Sequence, residues 1–71
     1  MTSAAIPNRL LRLRQVLDIV GLSKSAVYAR IREGSFPKSI SLGGTSVAWI
    51  EAEVNDWVNA RIAVSRTQPP T

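Results

Sequence analysis

Apolar residues near the start of the chain alternate with arginines and then take the spacing of a helix. Two leucines alternate with two arginines over residues 11–14, which predicts one short extended segment. A first helix is predicted by four apolar residues that share one helical face: Leu13, Val16, Leu17 and Val20. Gly21 ends this helix, because glycine adopts the left-handed conformation of a helix C-terminus at little steric cost.

A second helix is indicated mainly by its boundary residues. Ser23 is a good N-cap, since its hydroxyl can accept a hydrogen bond from a backbone amide of the first turn. Val27 and Ile31 are four residues apart and are expected to point into the core. Gly34 closes the helix, and Pro37 supports this end because the residue before a proline favours an extended conformation.

Beyond Pro37, polar and apolar residues alternate on both sides of a Gly-Gly turn at residues 43–44, which is typical of a β-hairpin. The predicted strands are residues 38–42 and 45–49. The serines and Thr45 are expected to face water or a ligand. The apolar side chains are expected to cover the helices; they are Ile40, Leu42, Val47 and Trp49.

A third helix over about residues 50–62 is predicted by apolar residues at helical spacing: Ile50, Val54, Trp57, Val58 and Ile62. Acids lie in its first turn and Arg61 in its last, as the helix dipole favours. Both tryptophans fall on apolar faces and are interpreted as core residues.

The predicted order of elements is strand, helix, turn, helix, hairpin, helix. This is a mainly α fold with a small β-hairpin, a winged helix-turn-helix. We assign it to residues 9–62. Residues 1–8 are expected to form a flexible N-terminal arm, and residues 63–71, which end in two prolines and a threonine, a flexible C-terminal tail.

Composition excludes several kinds of site. The chain has 71 residues, near the lower limit for a domain that folds on its own core. It has no cysteine and no histidine, so disulfides, thiolate-bound zinc and a histidine general base are excluded. No apolar run is long enough to cross a bilayer. We expect a cytoplasmic protein without cofactor, metal or membrane partner.

Positive charge is concentrated in one half of the chain. Residues 9–38 contain seven Lys and Arg and two acids, a net charge of +5. Residues 39–71 contain two Arg and three acids, a net charge of −1. A basic half joined to a slightly acidic half is expected of a domain that binds a polyanion on one face.

Five segments, taken in order, resemble one family of phage proteins. They are RLLRL at residues 9–13, GLSKSAVY at 21–28, GSFPK at 34–38, LGG at 42–44 and WIEAEVNDW at 49–57. Together they resemble the AlpA-type phage regulators, which are related to excisionases and to the DNA-binding domain of MerR proteins. The resemblance implies a prophage-type transcriptional regulator that activates or assists expression of integration and excision genes. Family members often have basic residues after the Gly-Gly turn, where this chain has Thr45 and Ser46.

The second helix is expected to enter the major groove of double-stranded DNA. Its side opposite Val27 presents Ser25, Ala29 and Arg32. Arg32 can contact a guanine bidentately, bind a phosphate, or remain a solvated charge near the helix end. Ser25 can contact a base or the backbone, and Ala29 can touch a thymine methyl group.

Further candidates surround this side of the helix. Lys24 and the amides near Ser23 suit a phosphate, since they lie at a helix N-terminus. Tyr28 donates to a phosphate in one interpretation and packs in the core in the other. Arg30 is expected to shield the core or to pair with an acid. The remaining candidates for contact with DNA lie near the first helix and in the hairpin: Arg12, Arg14, Lys38, Gly44, Thr45 and Ser46.

No active site is predicted. Ser35 and Lys38 have the Ser-x-x-Lys spacing of penicillin-binding enzymes, but Pro37 prevents the shared helix face that this pair requires. The acids of the third helix are interpreted as a solvated face rather than a metal site.

Three functions stay open at this point. The first is sequence-specific binding of duplex DNA by a transcriptional regulator. The second is an excisionase-type directionality factor that bends DNA for an integrase, and the third is a protein-interaction module such as an anti-repressor or a packaging subunit. Candidate protein partners are an integrase and RNA polymerase. The chain lacks sustained heptads, so we expect a monomer or cooperative binding on DNA.

Overall fold

The computed structural model describes residues 9–67, which form three helices and a three-stranded antiparallel sheet. The elements in chain order are β1 (Leu10–Leu11), α1 (Leu13–Val20), α2 (Lys24–Glu33), β2 (Ile40–Gly43), β3 (Ser46–Ile50) and α3 (Glu51–Thr67). This is the predicted order of a winged helix-turn-helix. The arm predicted for residues 1–8 and the last four residues lie outside the described part of the chain. None of the helices within residues 9–67 has the length and apolarity needed to cross a membrane.

The C-terminal end of α1 and both ends of α2 form where the sequence predicts them. Gly21 has φ of 71°, and its N–H donates a hydrogen bond of 2.8 Å to the carbonyl oxygen of Leu17. The Ser23 hydroxyl accepts a hydrogen bond of 3.1 Å from the N–H of Ala26, as expected of an N-cap. Gly34 has φ of 81° and ends α2. The turn between α1 and α2 is therefore defined by two short-range signals, a left-handed glycine and a capping serine.

β3 is the central strand of the sheet, with β1 on one side and β2 on the other. Leu11 pairs with Trp49 across β1 and β3, and Ile40 pairs with Ala48 across β2 and β3. The N–H of Glu51 donates a hydrogen bond of 2.7 Å to the carbonyl oxygen of Arg9, so α3 begins beside the start of the described chain. We call the β2–β3 hairpin, residues 40–50, the wing.

The core is assembled from single side chains of many elements. Among the described residues, each strand or helix except β2 contributes at least one buried side chain, and the loop after α2 contributes another. The cluster consists of Leu11, Val16, Val27, Phe36, Trp49 and Val54. Because so few residues form this core, each of them is expected to contribute strongly to stability.

Two expectations about apolar residues of the hairpin are wrong, and two element boundaries differ from the prediction. Ile40 and Leu42 were expected to cover the helices, but their side chains are 38% and 46% exposed. The physical reason is that β2 packs mainly on β3, whereas α1 and α3 pack on β3 and α1 also packs on β1. The third helix, predicted to end at about residue 62, continues to Thr67, so residues 63–67 of the predicted tail are helical; the second half of α3, with Ile62, is exposed to solvent. Leu13, expected in the extended segment as well as on the helical face, is the first residue of α1.

Candidate nucleic-acid interface

The outer face of α2, defined by Ser25, Ala29 and Arg32, lies opposite the part of the helix that enters the core. Val27 is fully buried, whereas Ser25 and Arg32 are exposed and Ala29 is half-buried. Because the side chain of Ala29 is small, a ligand can come close to the backbone of α2 between Ser25 and Arg32. The described part of the chain places nothing over this face that removes Ser25 or Arg32 from solvent.

The N-terminal end of α2 adds a positive charge and free amides to the same side. Ser23 and Lys24 are both exposed. The Ser23 hydroxyl satisfies the N–H of Ala26, so the amides of the first two positions remain available to an anion. This end of the helix can therefore hold a phosphate next to the outer face.

Tyr28 links α2 to the wing. Its ring meets the ring of Trp49 edge to face, with centroids 6.3 Å apart. Tyr28 is half-buried and its ring packs against the core cluster, which fits the packing interpretation, and contact of its hydroxyl with a phosphate stays a prediction. The contact holds the end of β3, where the wing joins the rest of the domain, beside α2.

The loop between α2 and the wing is held by both indoles. The Nε1–H of Trp57 donates a hydrogen bond of 2.6 Å to the carbonyl oxygen of Ser35, and that of Trp49 donates one of 3.1 Å to the carbonyl oxygen of Pro37. Phe36, between the two acceptors, is buried and packs edge to face on Trp57 with centroids 4.9 Å apart. The core role of Phe36 was not predicted, since a single aromatic beside a proline carries no periodic signal.

The other basic candidates lie on separate elements. Arg12, the N-cap of α1, Arg14 in its first turn, and Lys38 before β2 are all exposed. Among the described residues the recorded ion pair joins Arg9 and Glu51 at 3.3 Å, so these three cations have no carboxylate partner there. They remain available to an external anion.

Arg30 is on a different side of α2 from the outer face. It lies two positions before Arg32, which at 3.6 residues per turn places the side chains roughly 160° apart. Arg30 is half-buried, and its Nε atom is buried without a hydrogen-bond partner among the described residues. Of the two predicted roles, shielding the core fits these observations, and no acid lies within ion-pair distance in that part of the chain.

The tip of the wing is built from glycine and hydroxyl residues. Gly43 and Gly44 have φ of 112° and 57°, a conformation that favours glycine. Gly44 and Thr45 are exposed, and Ser46 is half-buried. Leu42, which the sequence placed in the core, is the exposed apolar residue beside this turn. Within residues 9–67 no three His, Cys, Asp or Glu side chains form a group that could hold a metal ion.

Comparison with known proteins relates most of the described chain to one family. The family model of the prophage CP4-57 regulatory protein (AlpA) matches residues 9–62. An uncharacterized protein of Enterobacteria phage P4, ORF88, is 49% identical over 55 residues, which are 78% of this chain and 62% of that protein. The DNA-binding transcriptional activator AlpA of Escherichia coli (strain K12) is 36% identical over 59 residues, and the match covers 75% of this chain and 84% of that protein. The chain thus spans less than two thirds of the length of the phage P4 protein.

Proposed function

The chain belongs to the family of the prophage regulatory protein AlpA, and from this premise we propose that it is a transcriptional regulator that binds specific sequences of double-stranded DNA. In this proposal α2 lies in the major groove and the wing lies on the adjacent part of the duplex. The E. coli relative is named a DNA-binding transcriptional activator, which supports the same role for this chain.

The observation that carries the proposal is the exposed outer face of α2 beside unpaired positive charge. Arg32 projects from this face without a carboxylate partner among the described residues, and its guanidinium matches the two acceptors of guanine. Ser25 and Ala29 complete a surface small enough for the helix to approach the base edges. We assign base contact to Arg32 and Ser25.

Phosphate contacts are assigned to residues at the edges of this face. Lys24 and the free amides after Ser23 bind one phosphate at the N-terminus of α2. Exposed cations at the start of α1 and in the loop before β2 bind phosphates further along the duplex. Hydroxyls and amides of the wing bind the DNA backbone without supplying positive charge. These residues are Arg12, Arg14, Lys38, Gly44, Thr45 and Ser46.

The test compares two arginines of the same helix. The bound sequence is first mapped by footprinting on genomic DNA, starting with the region around the protein's own gene. Arg32→Gln is expected to weaken binding to this sequence by roughly 5- to 150-fold, the equivalent of about 1–3 kcal/mol, and to relax specificity. Arg30→Gln, which removes the same charge from another side of α2, is expected to change binding little. Equal binding by Arg32→Gln and wild type, to specific and random DNA alike, would contradict the assignment.

A second candidate role, an excision factor that bends DNA for an integrase, is favoured by one observation. The wing has no Lys or Arg and presents an exposed apolar side chain, Leu42. Circularly permuted DNA fragments distinguish the roles, since a factor that bends DNA changes their mobility with the position of the site. The integrase is the partner of this second role, and RNA polymerase is the partner of the first.

A further inference from the structure

Leu42 is an extra residue in the wing. Ser41 pairs with Val47, and Gly43 pairs with Ser46. The two paired residues of β2 are thus two positions apart, whereas their partners on β3 are adjacent. Leu42 is the residue left over between the two pairs. Such a β-bulge breaks the regular ladder and turns the side chain of the extra residue into a new direction.

The bulge is held by its own hydrogen bond. The hydroxyl of Ser41 accepts a hydrogen bond of 3.2 Å from the N–H of Gly43, directly across Leu42. Gly43 and Gly44 follow with positive φ, and no other atom lies within 4 Å of where a Cβ would stand at either glycine. Because neither glycine has a side chain, the backbone of the tip can approach a ligand closely.

The wing offers no positive charge to a phosphate. Residues 39–60 contain no Lys or Arg. The wing instead offers an apolar side chain that is 46% exposed, with hydroxyls at Ser41 and Thr45 on either side. Hydroxyls can bond the acceptor atoms that line the minor groove, and an apolar side chain can enter between two stacked base pairs.

We propose that Leu42 inserts from the minor groove into a base step of duplex DNA and bends the site. The proposal rests on the proposed function, since it requires α2 to hold the duplex while the wing reaches the groove beside it. The Tyr28–Trp49 contact keeps the wing next to α2 and so makes both contacts possible at once. Pyrimidine–purine steps unstack most easily, so the step that receives Leu42 is expected to be of this kind.

The experiment measures DNA shape as well as affinity. The footprinted duplex is labelled at its ends for energy transfer and carries 2-aminopurine at each step beside the site in turn. Wild type is expected to bend the DNA by between about 20 and 90° and to raise 2-aminopurine fluorescence at one step. Leu42→Ala is expected to lose both signals while still binding, and Leu42→Phe is expected to keep them.

Ile40→Ala is the matched control. Ile40 is on the same strand with similar exposure, but it keeps its regular pairing with Ala48. This variant is expected to bend and unstack the DNA as wild type does. Thermal unfolding of each variant verifies that it is folded.

Each other outcome overturns the proposal in a distinguishable way. A Leu42→Ala variant that binds, bends and unstacks like wild type contradicts the insertion and leaves DNA binding intact. A wild-type protein that binds no duplex contradicts the proposed function itself. If wild type self-associates through β2, and Leu42→Ala makes it monomeric without changing DNA shape, the exposed strand is a protein interface.

Discussion

Trp57 donates a hydrogen bond of 2.6 Å from its indole nitrogen to the carbonyl oxygen of Ser35, which joins α3 to the loop that follows α2. Trp49 makes the equivalent bond to Pro37 from the central strand. Two indoles from different elements therefore fix one short loop. This loop sets the position of the wing relative to the helix that we propose lies in the major groove.

Trp57→Phe is expected to lower the free energy of unfolding by about 1 kcal/mol, because it removes this hydrogen bond and keeps most of the aromatic contact with Phe36. Urea denaturation measures the change. Ser35→Ala is the control, since it leaves the acceptor carbonyl in place and removes only the exposed 3.3 Å hydrogen bond from the Ser35 hydroxyl to the carbonyl oxygen of Arg30, so a smaller loss is expected. An unchanged unfolding free energy in Trp57→Phe, or an equal loss in Ser35→Ala, would contradict the interpretation.

Gly34→Ala is expected to destabilise the protein by roughly 1–2 kcal/mol, because Gly34 has φ of 81°. The cost is conformational rather than steric, since no other atom lies within 4 Å of the position that a Cβ would occupy. Gly34→Asn is expected to cost less, because asparagine tolerates the left-handed conformation better. Thermal unfolding of the two variants tests this order, and an alanine variant at least as stable as the asparagine one would refute it.

Arg30→Met is expected to preserve or raise stability, by up to about 1 kcal/mol, because it removes a buried Nε donor without a partner among the described residues. Methionine keeps an unbranched apolar side chain against the same surface. Arg32→Met, at an exposed position, is expected to stay within about 0.5 kcal/mol of wild type. A large loss of stability in Arg30→Met alone would mean that its guanidinium makes a favourable interaction.

Salt is expected to weaken DNA binding steeply. If Lys24, Arg32 and the three other proposed cations contact DNA, the slope of log affinity against log salt concentration is between about −3 and −5. Lys24→Gln is expected to reduce the magnitude of this slope by about 0.9. Arg66→Gln, an equal loss of charge at the end of α3, is expected to leave the slope unchanged. Fluorescence anisotropy titrations over a range of salt concentrations measure both, and identical slopes for the two variants would contradict the assignment of Lys24.

Local signals in the sequence predict most of this fold. Gly21, Ser23 and Gly34 define the helix ends through backbone preferences that depend on few neighbours. The Gly-Gly turn locates the wing for the same reason. These features could be predicted because each depends on the conformation of a short stretch of chain.

Tertiary arrangement limits the prediction elsewhere. Alternation along β2 marks one side of the strand as apolar, but only the tertiary structure reveals that the helices pack on β3 and β1 and leave Ile40 and Leu42 of β2 exposed. The pairing of β1 with β3 joins distant residues and has no local signal. The outer face of α2 follows from helix geometry, whereas the bulge at Leu42 depends on the register between two strands.

The two carbonyl groups that accept hydrogen bonds from the indoles belong to the main chain, so these bonds do not depend on which side chains residues 35 and 37 carry. Substitutions at Ser25, Ala29 and Arg32 likewise leave them untouched. Evolution, or a protein engineer, can therefore exchange the residues that would select a target sequence while the angle between helix and wing is inherited unchanged.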